Sequence, residues 1–480
     1  MHFDNNATRT RRELLIKVAR LVFQGNLMER IDRIPLEMRP KNEKSTRCCI
    51  HKDRAVLKYR LMGILGFKTE DETDELMPLK DYAQKCLELN GAVDNILSVI
   101  DEACTACIQS RYFVTNACRG CMARPCMVNC PKKAIKIGTN SQAEVDPATC
   151  VNCGLCLKAC PYHAIIRIPV PCEEACPVGA IEKDCQGKAT IDHNKCILCG
   201  KCMRECPFGA IMECSQFVNV INALVNNKSI VLMIAPVVAG QFVAEFSQLI
   251  SAVRKVGFTN IVEVALGAKD TALHEAAEFE ERIGHGDKFM TTSCCPAYTD
   301  AVEKHIPALK NRVSTTRTPL HYTAELVASR FPDSIKIFVS PCIAKRQEVV
   351  RNNLVDMVLT CEELGAIIAA KGIDVAECET DSEFDSATKG GRGFPFTGGV
   401  TDAVKKYLKE PDKIKPQFID GLSKQNIKLL KIYSGPKGVP GANFLEVMSC
   451  EGGCVNGPCT MENPALAKKR ISNLMELTPE

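Results

Sequence analysis

The stretch DKFMTTSCCPAY, residues 287–298, is a short apolar run that ends in two adjacent cysteines and a proline. Three further apolar runs end in loops of special composition: SIVLMIAP (229–236), IKIFVSPC (335–342) and NFLEVMSC (443–450). Each reads as a strand whose carboxyl end delivers a turn, the place where open α/β sheets put their ligands. Three of the four deliver cysteine. One buried cysteine is only a small hydrophobe, but the same placement three times asks for thiols at one point. Beyond residue 216 the alternation of apolar strands with helices reads as α/β.

Outward from this stretch, the chain has 480 residues, 29 of them cysteine, with 46% hydrophobic and 25% charged residues. That is ordinary for a soluble globular protein of two to four domains. The start, MHFDNNATRTRRELL, has no apolar signal region, so a cytoplasmic protein with reduced thiols is expected. The apolar stretch SIVLMIAPVVAG is too short to span a bilayer and contains Pro236, so no membrane segment is expected. A net charge of +4 is too weak and too evenly spread to indicate nucleic acid. Residues 1–95 read as a helical segment, because RRELLIKVARLVFQG (11–25) and MPLKDYAQKCLELNGAVDNILSVIDEAC (77–104) repeat apolar residues at helical spacing.

Between residues 96 and 215 cysteine dominates. CVNCGLCLKACP supplies Cys150, Cys153, Cys156 and Cys160, and CILCGKCMRECP supplies Cys196, Cys199, Cys202 and Cys206. Both are C-x2-C-x2-C-x3-C-P, in which three thiolates of one loop grip a 4Fe–4S cube and the fourth reaches the cube of a partner loop. Zinc also accepts four thiolates, and the repeated C-x3-C-P favours the cube. A third run, CRGCMARPCMVNCP, carries Cys118, Cys121, Cys126 and Cys130 and pairs with the run at Cys150. Crossover then gives one cluster to Cys118, Cys121, Cys126 and Cys160, and another to Cys150, Cys153, Cys156 and Cys130. In PVPCEEACPVGAI, Cys176 completes the cluster of Cys196, Cys199 and Cys202. Cys172 and Cys206 remain, with Cys104 and Cys107 of ACTAC as the best candidate partners, so three or four 4Fe–4S clusters are expected. Cubes in a row form an electron wire. Cys48 and Cys49 beside His51 suggest a metal ligand set; Cys86, Cys185, Cys214, Cys361, Cys378 and Cys459 read as packing or surface thiols.

The carboxyl-terminal region offers Cys295, Cys342, Cys450 and Cys454 from three loops, enough to hold one more cube and leave Cys294 free. TSCCPAY (292–298), SPCIAKRQE (340–348) and FLEVMSCEGGCVNG (444–457) resemble, in order, the three signature stretches of the iron-only (FeFe) hydrogenases, met in forms near TSCCPGW, MPCTAKKxE and ExMACPGGCxxGG. The resemblance covers roughly residues 216–470. The Ala-Tyr ending of the first motif, and RCCIHKDRAVLKYR at 47–60, are similar to the less studied branch of that family. The resemblance implies an α/β catalytic domain over 216–480, two lobes of parallel sheet flanked by helices with the cluster in the cleft, preceded by α+β ferredoxin-like modules over 96–215. It also implies an H-cluster: a 4Fe–4S cube joined to a two-iron unit that carries carbon monoxide, cyanide and a bridging azadithiolate.

Carried over by motif, Cys295, Cys342 and Cys450 ligate the cube, and Cys454 ligates it and bridges to the two-iron unit. Cys294 passes protons to the bridging amine, Lys345 binds a cyanide, and Met448 packs on the two-iron unit. Ala235 and Pro236 match the bend beside the second cyanide, and Phe394 an aromatic wall. Two positions depart from the family, Val237 where serine is frequent and Leu320 where glutamine is. A proton path is expected through Glu275 and Glu278, which share a helix face in TALHEAAEFEERIG, with Arg282 continuing that face and Ser314 as the intervening hydroxyl.

The implied activity is reversible reduction of protons to dihydrogen. A soluble ferredoxin or similar carrier would bring the electrons, and maturation proteins the two-iron unit. The rivals are a hydrogenase-like iron–sulfur assembly factor, a hydrogen sensor without turnover, and a plain polyferredoxin. The first has no need of Cys294, Lys345 and Met448, the second usually adds a signalling domain and lacks the proton-passing thiol, and the third leaves the three motifs unexplained.

Overall fold

The computed structural model describes residues 5–42, 44–45, 47–88, 96–104, 107, 111–385 and 387–478. It opens with the helix Asn6–Phe23. Asn5 caps this helix by accepting from the backbone of Ala7 and Thr8, while the Thr8 hydroxyl accepts from Asn5 N in return. Leu14, Leu15, Val18, Ala19 and Val22 form its buried stripe. The helix packs on Cys361–Ala370 of the carboxyl-terminal region, where Arg11 and Arg12 both pair with the buried Glu362. Helices Ile50–Ile64 and Leu79–Glu88 follow.

The second run of helical spacing does not stay helical. Its helix extends over Leu79–Glu88, residues 89–95 lie outside the described ones, and Leu97–Val99 is a strand, β1. The three residues are buried and pair antiparallel with Ile211–Glu213, more than a hundred residues away. Pairing with a distant strand overrides the local spacing.

The iron–sulfur region holds small antiparallel pairs. Strand β2 (Arg111–Val114) pairs with β5 (Ile165–Ile168), β3 (Ile135–Ile137) with β4 (Ala143–Val145), β6 (Ile181–Lys183) with β7 (Ala189–Ile191), and β1 with β8 (Ile211–Glu213). Short helices between them carry the cysteine loops.

From residue 217 the chain builds two parallel sheets. Strands β9 (Ile230–Ile234), β10 (Asn260–Glu263), β12 (Ile335–Val339) and β13 (Met357–Leu359) make one, in the order β10-β9-β12-β13. Strands β11 (Met290–Thr291), β14 (Pro416–Asp420) and β15 (Phe444–Met448) make the other, in the order β11-β15-β14. β9 and β15 are buried along their whole length, as parallel strands covered on both faces must be. All four apolar runs singled out in the sequence are strands, and their carboxyl ends point the loops Ala235–Pro236, Thr292–Cys295, Ser340–Cys342 and Ser449–Cys450 toward one region.

Candidate active site and electron relay

That region is a cavity of about 950 Å³ when the open solvent at its mouth is included. Cys294, Cys295, Cys342, Cys450 and Cys454 all line it, as do Lys345, Met448, Phe394, Ala235 and Pro236. Val237 and Leu320, the two departures, are on the wall as well, so apolar side chains stand where polar ones were frequent in the resembled family. The remaining wall is nearly all apolar.

Backbone geometry brings the thiols in. Cys295 precedes Pro296 at the start of helix Pro296–His305, and Cys342 precedes helix Ala344–Asn352. Gly453 has φ +95, and a Cβ there would stand 2.1 Å from the Pro395 carbonyl oxygen. Cys454 N donates to that same carbonyl at 2.7 Å, so a glycine in the left-handed region seats Cys454 beside Pro395 and Phe396. Burial pushes each of the five thiols up, Cys342 and Cys454 to about 12.

Lys345 is largely buried in the cavity wall, and its ammonium donates to Glu348 Oε2 at 2.5 Å. Burial works against the charge, but Glu348 more than offsets it and holds the lysine protonated. Glu348 in turn accepts from the Thr318 hydroxyl. Sequence reasoning gave Lys345 an anionic partner on a cluster; the fold already supplies one, three residues along the same helix.

Behind Cys294 lies helix Ala265–Gly284. Glu275 on it is completely buried, and neither carboxylate oxygen finds a hydrogen-bond partner among the described residues. Burial pushes Glu275 up to about 8, with the charges of Glu278 and Glu446 adding to it. Ser314 Oγ donates to Glu278 Oε2 at 2.6 Å, and Arg282 pairs with Glu278 Oε1 at 2.6 Å. Burial works against the Glu278 charge, but Ser314, Thr315 and Arg282 outweigh it and hold this carboxyl below its ordinary value. The four residues expected to relay protons thus stand together, with Glu275 as the inner and Arg282 as the outer member.

Sequence reasoning passed over Glu446. It is fully buried on β15, accepts from the backbone of Gly398 and Thr401 and from the Thr401 hydroxyl, and bears electrostatically on Cys294. An acidic residue inside the otherwise apolar FLEVM was the available signal.

Cys199 lines the same cavity, although it belongs to the iron–sulfur region. The next residue, Gly200, has φ +71, and a Cβ there would meet Pro458 at 2.7 Å and Ile343 at 3.2 Å. The cysteine loop therefore rests directly on the loop of Cys342. Cys176 bears electrostatically on Cys196, Cys199 and Cys202. Cys126 has Cys121 and Cys160 as such neighbours, and Cys156 has Cys150 and Cys153. Cys130 and Cys160 each accept from the alanine N–H four residues on, at 3.3 and 3.4 Å. Cys104, Cys107, Cys172 and Cys206 form a further group. Cys48 and Cys49 are exposed at the start of helix Ile50–Ile64.

Four thiols from three loops, a buried ammonium and an apolar lining fit an H-cluster. Residues 228–458 match the model of the iron only hydrogenase large subunit, C-terminal domain; residues 117–164 match a 4Fe-4S dicluster domain and residues 189–212 a 4Fe-4S binding domain. Iron hydrogenase 1 of Clostridium pasteurianum is 29% identical over 280 residues, 47% of this chain and 49% of that one. Cytosolic iron-sulfur assembly component 3 of Bos taurus is 24% identical over 279 residues, 46% of this chain and 58% of that one. A solved variant of the FeFe-hydrogenase HydA1 from Chlamydomonas reinhardtii is 20% identical, covers 52% of this chain and 84% of that one, and superposes with a TM-score of 0.41. The match spans about half the length of the first curated relatives. The chain is thus FeFe-hydrogenase-like, with 4Fe–4S binding domains followed by a domain like the carboxyl-terminal one of the iron-only hydrogenases.

Proposed function

We propose that this chain is a cytoplasmic FeFe hydrogenase that interconverts protons, electrons and dihydrogen, wired by ferredoxin-type 4Fe–4S clusters. On this reading it divides near residues 95 and 215 into a helical segment, an iron–sulfur domain and a catalytic domain. One observation carries the proposal. The cavity that gathers four thiols also holds a fifth thiol, a paired ammonium and a methionine, with a fully buried carboxyl behind the fifth thiol. A protein that only carries a cube needs the four thiols and has no use for the rest. Among the described residues no helix is long and apolar enough to cross a membrane.

When bound, the H-cluster supplies the redox chemistry on hydrogen. Cys295, Cys342, Cys450 and Cys454 would hold its cube, Cys454 would also serve the two-iron unit, and Lys345 would offer its ammonium to an anionic ligand of that unit. Ala235, Pro236, Phe394 and Met448 exclude water from that unit. Cys294 holds a proton at Sγ and exchanges it with Glu275, and Ser314, Glu278 and Arg282 lead it outward. Electrons arrive through Cys199, whose loop touches the cavity, from a soluble ferredoxin or similar carrier. Maturation proteins would deliver the two-iron unit.

The test is anaerobic hydrogen evolution from reduced viologen, using protein loaded with a synthetic two-iron complex, beside Cys294→Ala treated identically. Evolution by the wild type, with near-total loss in a variant that still binds the complex, supports the assignment. Uptake of the complex with neither evolution nor consumption of hydrogen sinks the enzyme and favours a sensor. Failure to bind it favours an assembly factor.

A further inference from the structure

The iron–sulfur region contains the same small fold twice, and one copy lies inside the other. In the inner copy, residues 111–168, strands β2 and β5 pair and Thr115 N donates to Ala164 O at 2.8 Å just past the strand. Asp146 N donates to Ala134 O at 2.7 Å across the β3–β4 hairpin. The outer copy repeats these bonds with β1 and β8 in place of β2 and β5. Ile100 N donates to Ala210 O at 2.7 Å, and Asp192 N to Ala180 O at 2.9 Å across β6–β7. The cysteine before each proline also behaves alike: Cys176 Sγ accepts from Ala180 N at 3.2 Å and Cys206 Sγ from Ala210 N at 3.4 Å, as Cys130 and Cys160 do in the inner copy.

This equivalence locates ligands that no local motif supplies. Strand β2 runs into Cys118 and Cys121; strand β1 runs, with the same two-residue gap, into Cys104 and Cys107. In the half-module ending CEEACP, the C-x2-C-x2-C-x3-C template puts the first two cysteines at Ile166 and Pro169, and Ile166 is committed to β5 opposite Phe113. Cys104 is buried against the outer hairpin, where its sulfur accepts from Ala189 N at 3.2 Å and from Lys183 Nζ at 3.4 Å. Cys104, Cys107, Cys172 and Cys206 all pack into one core.

We propose that Cys104, Cys107, Cys172 and Cys206 hold a fourth ferredoxin-type 4Fe–4S cube, in a two-cube module split by insertion of a second such module between Cys107 and Cys172. The proposal rests on the iron–sulfur reading above. None of the matched family segments contains Cys104, Cys107 or Cys172. The topology also orders the wire. The chain enters the inserted module four residues after Cys107 and leaves it four residues before Cys172, so that module is tethered on both sides to the proposed cube. Its partner cube, on Cys176, Cys196, Cys199 and Cys202, touches the catalytic cavity through Cys199. Single electrons entering the inserted module would pass to the split module and then to the active site, each cube being reduced as its neighbour is oxidised.

The test counts iron and acid-labile sulfide in anaerobically reconstituted chain, before any two-iron unit is added. Five cubes, that of the catalytic cavity included, give about twenty irons, and four give about sixteen. The expected result is about twenty in the wild type and in Cys185→Ser, and about sixteen in the Cys104→Ser, Cys107→Ser double variant, with one fewer spin in the reduced paramagnetic resonance spectrum. About sixteen irons in the wild type would overturn the fourth cube even if the double variant fails to fold, and so would an undiminished count in a folded double variant. A wild-type count below about eight would overturn the wider iron–sulfur reading with it.

Discussion

Replacing Glu275 by glutamine tests the proton path at its most deeply buried point. The carboxyl is fully buried, and burial followed by the charges of Glu278 and Glu446 outweighs the opposing Ser314 and Ser293 and lifts it from its ordinary 4.5 to about 8. At about 1.4 kcal/mol per pH unit, ionising it inside the fold costs about 5 kcal/mol more than in the unfolded chain. The unfolded chain gives up this proton near 4.5, while the native protein keeps it until about 8. The contribution to stability is therefore whole below pH 4.5, falls as pH rises and is gone above about 8. Glu275→Gln keeps the shape and does not titrate, so its stability should be flat across that window. It also cannot pass a proton. A positioned acid or base contributes about 10²–10⁴-fold, so hydrogen evolution from reduced viologen near pH 7 should fall at least about 10²-fold while the infrared bands of the bound cluster stay in place. The wild-type rate should decline through an apparent pKa of about 8 as the donor empties. Difference infrared spectroscopy of the protonated carboxyl, wild type minus variant, reads the titration directly. A carboxyl band already missing at about pH 6, or a variant keeping more than about a tenth of wild-type turnover, would refute the reasoning.

Glu348→Gln strips the fixed partner from the Lys345 ammonium; breaking a buried pair costs about 3–5 kcal/mol, so the melting temperature of cube-loaded protein should drop and recover in part when the two-iron complex supplies cyanide. Lys183→Gln removes the cation on the Cys104 sulfur, and a redox titration should find one cube shifted to lower potential while the others hold. Residues 111–168 carry eight Lys and Arg against two Asp and Glu, so the inserted module should dock an acidic carrier; its KM should rise as salt shortens the Debye length from about 30 Å at 0.01 M to about 8 Å at 0.15 M, with viologen-driven evolution unaffected.

The parts of the site that were legible in sequence are those written in short, local code. Four strands that end in cysteine or Ala-Pro, and cysteine runs at fixed spacing, located the thiols and their loops because a strand's carboxyl end is set by the few residues before it. What was not legible depends on partners far away in the chain. β1 is three residues long and owes its form to Ile211–Glu213, so helical spacing misread it. The carboxylate waiting beside Lys345 was in plain view at i+3 in SPCIAKRQE, but only the fold turns Glu348 inward. The clamp of Arg11 and Arg12 on Glu362 joins residues about 350 positions apart, and no local pattern announces it.

On the proposed reading, adjacent cysteines take different duties within one physical setting. All five thiols of the cavity are enclosed by the fold, and burial opposes ionisation in every one of them. A thiol in such a place becomes a thiolate only when a metal takes the proton's position. Cys295, at the cap of helix Pro296–His305, shares its setting with the loops of Cys342, Cys450 and Cys454 and can meet iron with them. Cys294, one residue earlier, packs with Cys295 against the side chains of Phe394 and Met448 and feels the charge of Glu275. With no metal to displace its proton, the desolvation that makes its neighbour depend on iron keeps Cys294 a thiol. On the proposed reading, the backbone N–H groups of Tyr298 and Ser449 and the charge of Lys345 favour the thiolate of Cys295 and none of them is a leading influence on Cys294, so an anionic ligand and a neutral proton carrier can stand side by side.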